Sequence, residues 1–516
     1  MTESQILPFG PGALIVVGLY VLSLLGVGAY AYSQRKDNSM RDFFLAGRTM
    51  GFAVLLLTLY ATQYSGNTLL GFSGATYRHG LSFLVCVQFM IVIVVCYLIF
   101  APRLYRLSRE QDFLTPGDFI FHRYQSRFLR VLVTVLMVYA LCNFTLAQMR
   151  TLGTAFAGIS QGRIPMWAGV VGLALVMLIY ESLGGMRSVA WTDAIQGAML
   201  LTGFSLLIVL AFTHFGSIPE ALSKLASQPN TVHKVRPPSP EGVRNWFSFL
   251  VLMGFGAAIY PQAIQRIYAA RNARVLKHSL AVMAFLPLTT ALVAVLIGLL
   301  MAAHHPELSQ TYSAGGATPV PSETILMQMC LEVMQASALG YWLVVLIFAA
   351  LLAAVMSTAD SALLSISSML THDLYGQTFN PAADQGHLTR VGKMVTWILL
   401  IPIVWAALVY EGNLIQLLKL KFELLIQCVP AIYLGVHSRT LSARAVNTGL
   451  IAGLLVTLTL LAMDLSRVSG IHAGIIGLTV NLVVCFADII KNRRIPEGQD
   501  AKEAKKVSAD ITEQVF

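Results

Sequence analysis

Residues Ala353 to Ser368 read AAVMSTADSALLSISS and lie inside a hydrophobic run that continues from Leu343 to Leu370. At about 100° per residue, a helix places the polar side chains of this stretch within one arc of about 160°. These side chains are Ser357, Thr358, Asp360, Ser361, Ser365 and Ser368. A carboxylate at membrane depth is costly unless something pairs with it, so we interpret this face as part of a cation site. The alternative is a polar seam, since Ser and Thr often join packed transmembrane helices.

The composition of the whole chain predicts a membrane protein with many spans. Its 516 residues are 56% hydrophobic and 12% charged, with a mean hydropathy of +0.70, whereas soluble proteins carry about 25% charged residues. The net charge of +10 resides mainly in short loops between apolar runs, where it sets membrane orientation and does not indicate a nucleic-acid partner. The expected partners are membrane lipids and a small-molecule solute, and no obligate protein partner is evident. The six cysteines show no CxxC spacing, which argues against a disulfide framework or a zinc site.

Windows of about 20 apolar residues predict thirteen transmembrane spans. They cover residues 12–32, 50–76, 81–101, 129–155, 165–184, 191–213, 245–263, 279–302, 338–370, 394–410, 413–434, 445–464 and 470–489. The first is expected to be retained, because no basic segment or cleavage site precedes it. Basic residues follow every odd-numbered span, which predicts an N-terminus outside and a C-terminus in the cytoplasm. Residues 1–490 therefore form a transmembrane domain, and residues 491–516 form a short cytoplasmic tail.

Two of the predicted spans contain residues that interrupt a helix. In the second span these residues are Gln63, Ser65, Gly66, Asn67 and Thr68, among which Gly66 favours unwinding. In the seventh span they are Gly254, Gly256 and Pro261. Two interrupted helices five spans apart are typical of transporters built from inverted repeats, with binding near the midplane. For the second span, the alternative is a kinked helix that its neighbours stabilise.

Other charged residues at membrane depth have simpler interpretations. Asp193 follows a Gly-Gly turn and is expected to face the N-terminal dipole of the sixth span. Lys419, Lys421 and Glu423 are expected to snorkel to the interface or to pair locally, and a substrate role is the less favoured alternative. Neither an HExxH motif nor a nucleophile–base pair occurs at depth, so the chain is not expected to be an enzyme.

Four stretches resemble motifs of the sodium:solute symporter family, which includes proline, pantothenate, acetate, sialic acid and sugar carriers. They read DFFLAGRTMG at 42–51, GGMRSVAWTDAIQ at 184–196, PQAIQRIYAAR at 261–271 and AAVMSTADS at 353–361. The motifs span most of residues 42–376, whereas the last two spans and the tail contribute little. The resemblance implies an all-α integral membrane protein with a LeuT-like fold, in which two inverted repeats of five spans cover about residues 50–213 and 245–434.

The resemblance also implies a sodium site between the second and ninth spans. Its implied ligands are the carbonyl oxygens of Ala61, Tyr64 and Ala354 and the hydroxyls of Ser357 and Thr358. Sodium is a hard cation that prefers oxygen ligands, and here it is a coupling ion, not a permanent cofactor. A possible second cation is implied near Asp193, Asp360 and Ser361, where it would offset the repulsion between two carboxylates.

The chain departs from the proline carriers at the positions expected to contact substrate. Those carriers have an Asp where this chain has Gln63, and a Trp and a Tyr where it has Met253 and Ala257, which argues against proline itself. The candidate solute contacts are Gln63, Ser65, Gly66, Asn67, Gln88, Met253 and Ala257.

The sequence therefore predicts a secondary active transporter of the cytoplasmic membrane that works by alternating access. It would couple sodium entry to the uptake of a small polar organic solute, either an amino acid or a carboxylate. One alternative is a proton-coupled carrier in which Asp193 or Asp360 titrates. Another is a transporter-like sensor or channel without coupled transport.

Overall fold

The computed structural model describes residues 11–159, 164–306, 308, 325–336, 338–410 and 414–493. The first half of this described chain contributes α1 (Pro11–Ser33), α2 (Met40–Leu45), α3 (Phe52–Gln63), α4 (Phe72–His79), α5 (Val85–Glu110), α6 (Pro116–Tyr124), α7 (Arg127–Ile159), α8 (Met166–Gly184), α9 (Met186–Phe215) and α10 (Ile218–Ser227). The second half contributes α11 (Pro240–Ala258), α12 (Pro261–Ala269), α13 (Ala273–Met283), α14 (Ala291–His304), α15 (Ile325–Ala336), α16 (Ala338–Met369), α17 (Gln385–Val409), α18 (Leu414–Leu425), α19 (Val429–His437), α20 (Ala443–Ala462) and α21 (Ala473–Arg493).

Shorter elements connect these helices. Strands β1 (Arg467–Val468) and β2 (Ile471–His472) pair antiparallel between α20 and α21. Short 3-10 or π-helical segments cover Ala46–Arg48, Asn67–Gly71, Gly80–Leu84, Val232–Lys234, Leu286–Leu288, Leu370–Phe379 and Ile426–Cys428. Residues 494–516, which hold most of the predicted tail, lie outside the described part of the chain.

The helices agree with the predicted apolar segments. Each of the thirteen segments contains one long helix or a pair of shorter ones. Among the described residues, eleven helical segments are long and apolar enough to cross a membrane, and the pair α11–α12, bent by 47°, makes a twelfth. Helix α3 has only 12 residues and forms the first part of the broken second span. The fold is therefore that of a mainly helical protein with many membrane spans.

Both predicted helix breaks are present. Helix α3 ends at Gln63, and Tyr64 leaves the helical region with φ −101° and ψ 96°. Gly66 lies so close to α7 that a Cβ atom there would be 2.3 Å from the Thr151 side chain, which explains why glycine is needed in this turn. In the seventh span, α11 ends at Ala258 and α12 begins at Pro261, because proline cannot continue a helical hydrogen-bond ladder.

Helix α16, which carries the polar stretch at 353–368, belongs to the most deeply buried of the candidate membrane spans among the described residues. Every residue from Ile347 to Met369 is buried, and the helix packs against α3, α7, α9 and α12. Its polar face therefore meets protein and not lipid. Toward the end of the helix, Ser365 donates a hydrogen bond to Gln265 Oε1 at 2.6 Å, and Ser368 accepts one from the same Gln265 side chain. This end of the face is a polar seam with α12.

Candidate functional site

The first two family-like motifs contact each other where α9 begins. The Arg187 guanidinium donates to the Asp42 carboxylate at 2.7 Å and 3.3 Å, and both side chains are buried. Gly185 precedes the helix with φ +57°, and a Cβ there would lie 2.4 Å from the carbonyl oxygen of Phe43. The tight turn and the ion pair together fix the start of α9 against α2, and thereby position the side chains farther along α9.

The broken end of α3 meets the middle of α16. Where a helix ends, its last carbonyls lose their intrahelical partners and carry the negative end of the helix dipole. The Thr358 Oγ1 atom lies 3.4 Å from the Ala61 carbonyl oxygen and donates to the Ala354 carbonyl at 2.8 Å. Three of the five predicted sodium ligands therefore lie together, and Tyr64 follows on the same break. The remaining predicted ligand, Ser357, precedes Thr358 on α16, and its Oγ donates a hydrogen bond to Asp193 Oδ1 at 2.5 Å.

Asp193 lies at the centre of a network between four helices. Because α9 begins at Met186, Asp193 is not in its first turn, and the expected role at the N-terminal dipole is wrong. Its carboxylate instead forms an ion pair with Arg266 of α12 at 2.7 Å, with both side chains fully buried. Thr58 of α3 also donates to Asp193 and accepts from Arg266 Nε at 2.7 Å.

Arg266 lies among the residues implied for a second cation. Its Nη2 atom donates both to Asp193 and to the hydroxyl of Ser361, and its Nη1 atom donates to the Gln262 carbonyl at 3.0 Å. Asp360, the third implied residue, accepts instead from the Tyr180 hydroxyl of α8. From its place after the seventh apolar segment, Arg266 is expected to be one of the basic residues that set orientation, but its side chain is fully buried. The available signal was its position five residues after a proline that begins a buried helix.

A small cavity adjoins the broken ends of the second and seventh spans. It has a volume of about 30 Å³, well below the range of about 300–1,000 Å³ for small-molecule sites, so it must widen to admit a solute. Four of the predicted solute contacts line it, namely Gln63, Ser65, Met253 and Ala257. The other lining residues are not among the predicted solute contacts, although a substrate role is the less favoured alternative for Lys421. They are Thr68, Phe72, Phe89, Met90, Ile93, Phe144, Tyr260, Lys421 and Phe422.

The remaining predicted solute contacts lie elsewhere or cannot be placed. Gln88 is exposed and accepts a hydrogen bond from Trp246 Nε1 at 2.5 Å, so it does not lie across the cavity from Ser65. Gly66 donates its backbone N–H to Gln148 Oε1 at 3.2 Å and does not line the cavity. The side chain of Asn67 lies outside the described residues.

The surroundings of Lys421 and Glu423 differ from those predicted from the sequence. Lys421 is fully buried, and its Nζ lies 3.5 Å from the centroid of the Phe144 ring. Glu423 accepts from the backbone N–H of Gly474 and lies 3.1 Å from His472 Nδ1. Both the snorkelling and the local pairing expected for Lys421 are therefore wrong. The side chain of Lys419 lies outside the described residues.

Comparisons with known proteins agree with this architecture. The chain is similar to the osmoregulated proline transporter OpuE of Bacillus subtilis, at 25% identity with 91% of this chain and 93% of the relative covered. It is also similar to the sodium/pantothenate symporter of Haemophilus influenzae, at 26% identity with 77% and 79% covered. A solved structure of a sodium-coupled sialic acid symporter in a substrate-bound outward-open state superposes with a TM-score of 0.74, at 19% identity with 94% and 98% covered.

The fold of that neighbour confirms the predicted LeuT-like arrangement of broken helices. The family model of the sodium:solute symporters matches residues 43–456, a range that contains the network around Asp193 and the cavity beside Lys421. The chain therefore belongs to the sodium:solute symporter family.

Proposed function

We propose that this chain, a sodium-coupled solute symporter by family, binds its coupling ion between α3 and α16. The proposed ligands are the carbonyl oxygens of Ala61, Tyr64 and Ala354 and the hydroxyls of Ser357 and Thr358. The observation that carries the proposal is the position of Thr358 Oγ1, which lies beside the Ala61 carbonyl where α3 ends. Oxygen ligands of this kind suit a hard cation, and the carbonyl end of α3 supplies a favourable dipole.

The proposed solute is a small polar organic molecule, either an amino acid or a carboxylate, bound in the cavity beside the broken helices. Gln63, Ser65, Met253 and Ala257 are its proposed contacts, because all four line that cavity. Sodium would bridge α3 and α16 and so favour the conformation in which the cavity is complete. Since a ligand shifts a conformational equilibrium only by its differential affinity, sodium and solute must each raise the other's affinity.

We further propose that one sodium ion accompanies each solute. A second cation near Asp193, Asp360 and Ser361 would have to displace Arg266, whose guanidinium already contacts the first and third of these residues. The arginine is thus a covalently attached cation at this position. Removing its charge, as in R266M, is expected to expose two carboxylates that favour an added cation.

The proposed location is the cytoplasmic membrane, with the N-terminus outside and the C-terminus inside. Basic residues after each odd-numbered span support this orientation. The proposed repeat units are about residues 50–213 and 245–434, each with one broken helix.

Solute-stimulated sodium uptake into proteoliposomes tests the coupling and the sodium site together. The purified protein is reconstituted, and ²²Na⁺ entry is measured at fixed pH with a panel of amino acids and organic acids outside. We expect S357A/T358A to raise the half-maximal sodium concentration at least about tenfold, equivalent to about 1.4 kcal/mol. S367A is the matched control, because Ser367 lies on the same helix but donates to the Gly392 carbonyl.

Two outcomes would contradict the proposal. Solute uptake that persists undiminished without sodium would show that another ion, such as a proton, drives transport. Wild-type sodium affinity in S357A/T358A would refute the assigned ligands while leaving the coupling itself intact.

A further inference from the structure

The Lys421 ammonium lies near three aromatic rings. Its Nζ is 3.5 Å from the centroid of Phe144, 5.1 Å from that of Phe422 and 5.3 Å from that of Tyr260. These rings also contact one another, because Phe144 stacks on Tyr260 with centroids 5.2 Å apart. The rings attract the cation through their quadrupoles. They offer no lone pair to its N–H donors, however, so cation–π contacts alone leave those donors unused.

Within the described part of the chain, Lys421 Nζ has no hydrogen-bond acceptor although the side chain has no exposed surface. The nearby Tyr260 hydroxyl is also buried and has no hydrogen-bond partner among the residues that the structure describes. Both residues line the same cavity as Gln63 and Ser65. Buried polar groups are nearly always satisfied, and a buried charge without a counter-charge is costly. Two such groups on one cavity wall therefore indicate a ligand that accepts hydrogen bonds from both.

The other lining residues define what that ligand can be. Among the described residues that line the cavity, Lys421 is the one with a formal charge. Glu423, the nearest carboxylate in sequence, already interacts with Gly474 and His472. Most of the remaining wall is apolar, formed by Phe72, Phe89, Met90, Ile93 and Met253. A ligand that fits this wall carries one negative group and a short apolar body.

We propose that Lys421 is the anion-binding residue of the solute site, and that the transported solute is a small monocarboxylate without an amino group. One carboxylate oxygen accepts from Lys421 Nζ and the other from the Tyr260 hydroxyl, while the carbon chain packs against the aromatic and aliphatic wall. An amino acid is disfavoured because no carboxylate among the lining residues would pair with its ammonium. A dicarboxylate is disfavoured because its second charge would have no cation.

This assignment rests on the proposed function, so its test measures sodium binding and solute binding separately. The full-length protein is purified in detergent, and its thermal unfolding midpoint is recorded with and without sodium at constant chloride. Propionate and lactate are then added, each beside its neutral amide, propionamide or lactamide, and beside the zwitterion alanine. Any ligand that binds only the folded protein raises the midpoint, and the stabilisation grows with the logarithm of the ligand concentration once that concentration exceeds Kd.

We expect sodium to raise the midpoint and at least one monocarboxylate to raise it further, whereas the amides and alanine do not. In K421M the sodium response should remain, and the apparent affinity for the carboxylate should fall at least tenfold. K393M is the matched control, because Lys393 also lies over an aromatic ring, 5.1 Å from the centroid of Phe43, but does not line the cavity.

Several results would contradict the assignment of Lys421 but leave the proposed sodium site unaffected. These are an equal response to acid and amide, a response to alanine alone, no response to any carboxylate, or an undiminished carboxylate response in K421M. A protein that shows no sodium response in wild type would instead contradict the proposed function. The retained sodium response in K421M also serves as the test that this variant is folded.

Discussion

Arg266 on α12 and Lys421 on α18 are both cationic side chains without exposed surface, yet their surroundings differ completely. Arg266 donates to a carboxylate, two hydroxyls and a backbone carbonyl. Among the described residues, the Lys421 Nζ atom lies near aromatic rings and has no hydrogen-bond acceptor. A buried charge with a full set of hydrogen-bond partners stabilises the folded structure. A buried charge without such partners calls for an explanation, and for Lys421 we propose a bound ligand. Arg266 therefore has a structural role, whereas the proposed role of Lys421 is to bind the solute.

The largest expected effect is that of removing Arg266. R266M leaves Asp193 as a buried carboxylate without its counter-charge, which costs about 3–5 kcal/mol. We expect a much lower thermal unfolding midpoint, measured by tryptophan fluorescence of the detergent-purified protein. D193N/R266M removes both charges and should recover part of the loss. An unchanged midpoint in R266M would show that the ion pair does not stabilise the fold.

Replacing Lys421, in contrast to replacing Arg266, should weaken solute binding without lowering the stability of the protein. K421M removes a buried charge that has no partner, so without solute its unfolding midpoint should equal or exceed that of wild type. Its binding of carboxylate should weaken by about 2–5 kcal/mol, the usual cost of removing one member of a buried charge pair. The midpoints of K421M and R266M are measured side by side. If both variants are destabilised alike, Lys421 is a structural cation and the contrast fails.

A smaller effect is expected at Thr58, whose hydroxyl serves both members of the ion pair. T58V keeps the shape of the side chain but removes this hydroxyl, which should cost about 1–3 kcal/mol because buried polar groups lose a partner. T145V is the matched control, since the buried Thr145 donates only to the Leu141 carbonyl of its own helix. Equal midpoints for T58V and T145V would contradict a shared role for Thr58.

The smallest effect concerns Lys234, which lies between α10 and α11 with its Nζ 4.5 Å from the centroid of Tyr77. Burial lowers the pKa of Lys234 from 10.5 to about 8. Between these pH values the unfolded chain binds more protons than the folded one, so the free energy of unfolding should rise with pH. K234M should remove this rise, which we expect to be on the order of 1 kcal/mol.

Thermal unfolding of both proteins at pH 8, 9 and 10 measures this difference. Parallel profiles for wild type and K234M would mean that the Lys234 ammonium is no less stable in the folded protein than in the unfolded chain.

The features that depend on local sequence could be predicted. Apolar runs gave the spans, and Gly66 and Pro261 marked the two breaks, because a glycine or a proline acts on its own stretch of backbone. The 100° spacing also placed Ser357, Thr358 and Asp360 on one face of α16. That face is buried against other helices, as a site at membrane depth requires.

Partner choice could not be predicted, because it depends on which helices pack together. No spacing rule indicates that Asp193 pairs with Arg266 and Asp360 with Tyr180, residues 73 and 180 positions away. The direction of the Lys421 side chain could not be predicted from the sequence either, since a lysine two turns from a helix end can extend to water or point into the protein. The aromatic rings that receive it come from α7, α18 itself and the link between α11 and α12.

The net charge moved per transport cycle tests the central claim most directly. One sodium ion with one monocarboxylate carries no net charge, because Arg266 replaces a second sodium and Lys421 selects a single anion. Uptake of a carboxylate that binds is measured in proteoliposomes with a sodium gradient, with and without an inside-negative potassium diffusion potential set by valinomycin. The account predicts the same initial rate in both cases. A rate that increases with the inside-negative potential would show that positive charge enters with the solute, and would contradict it.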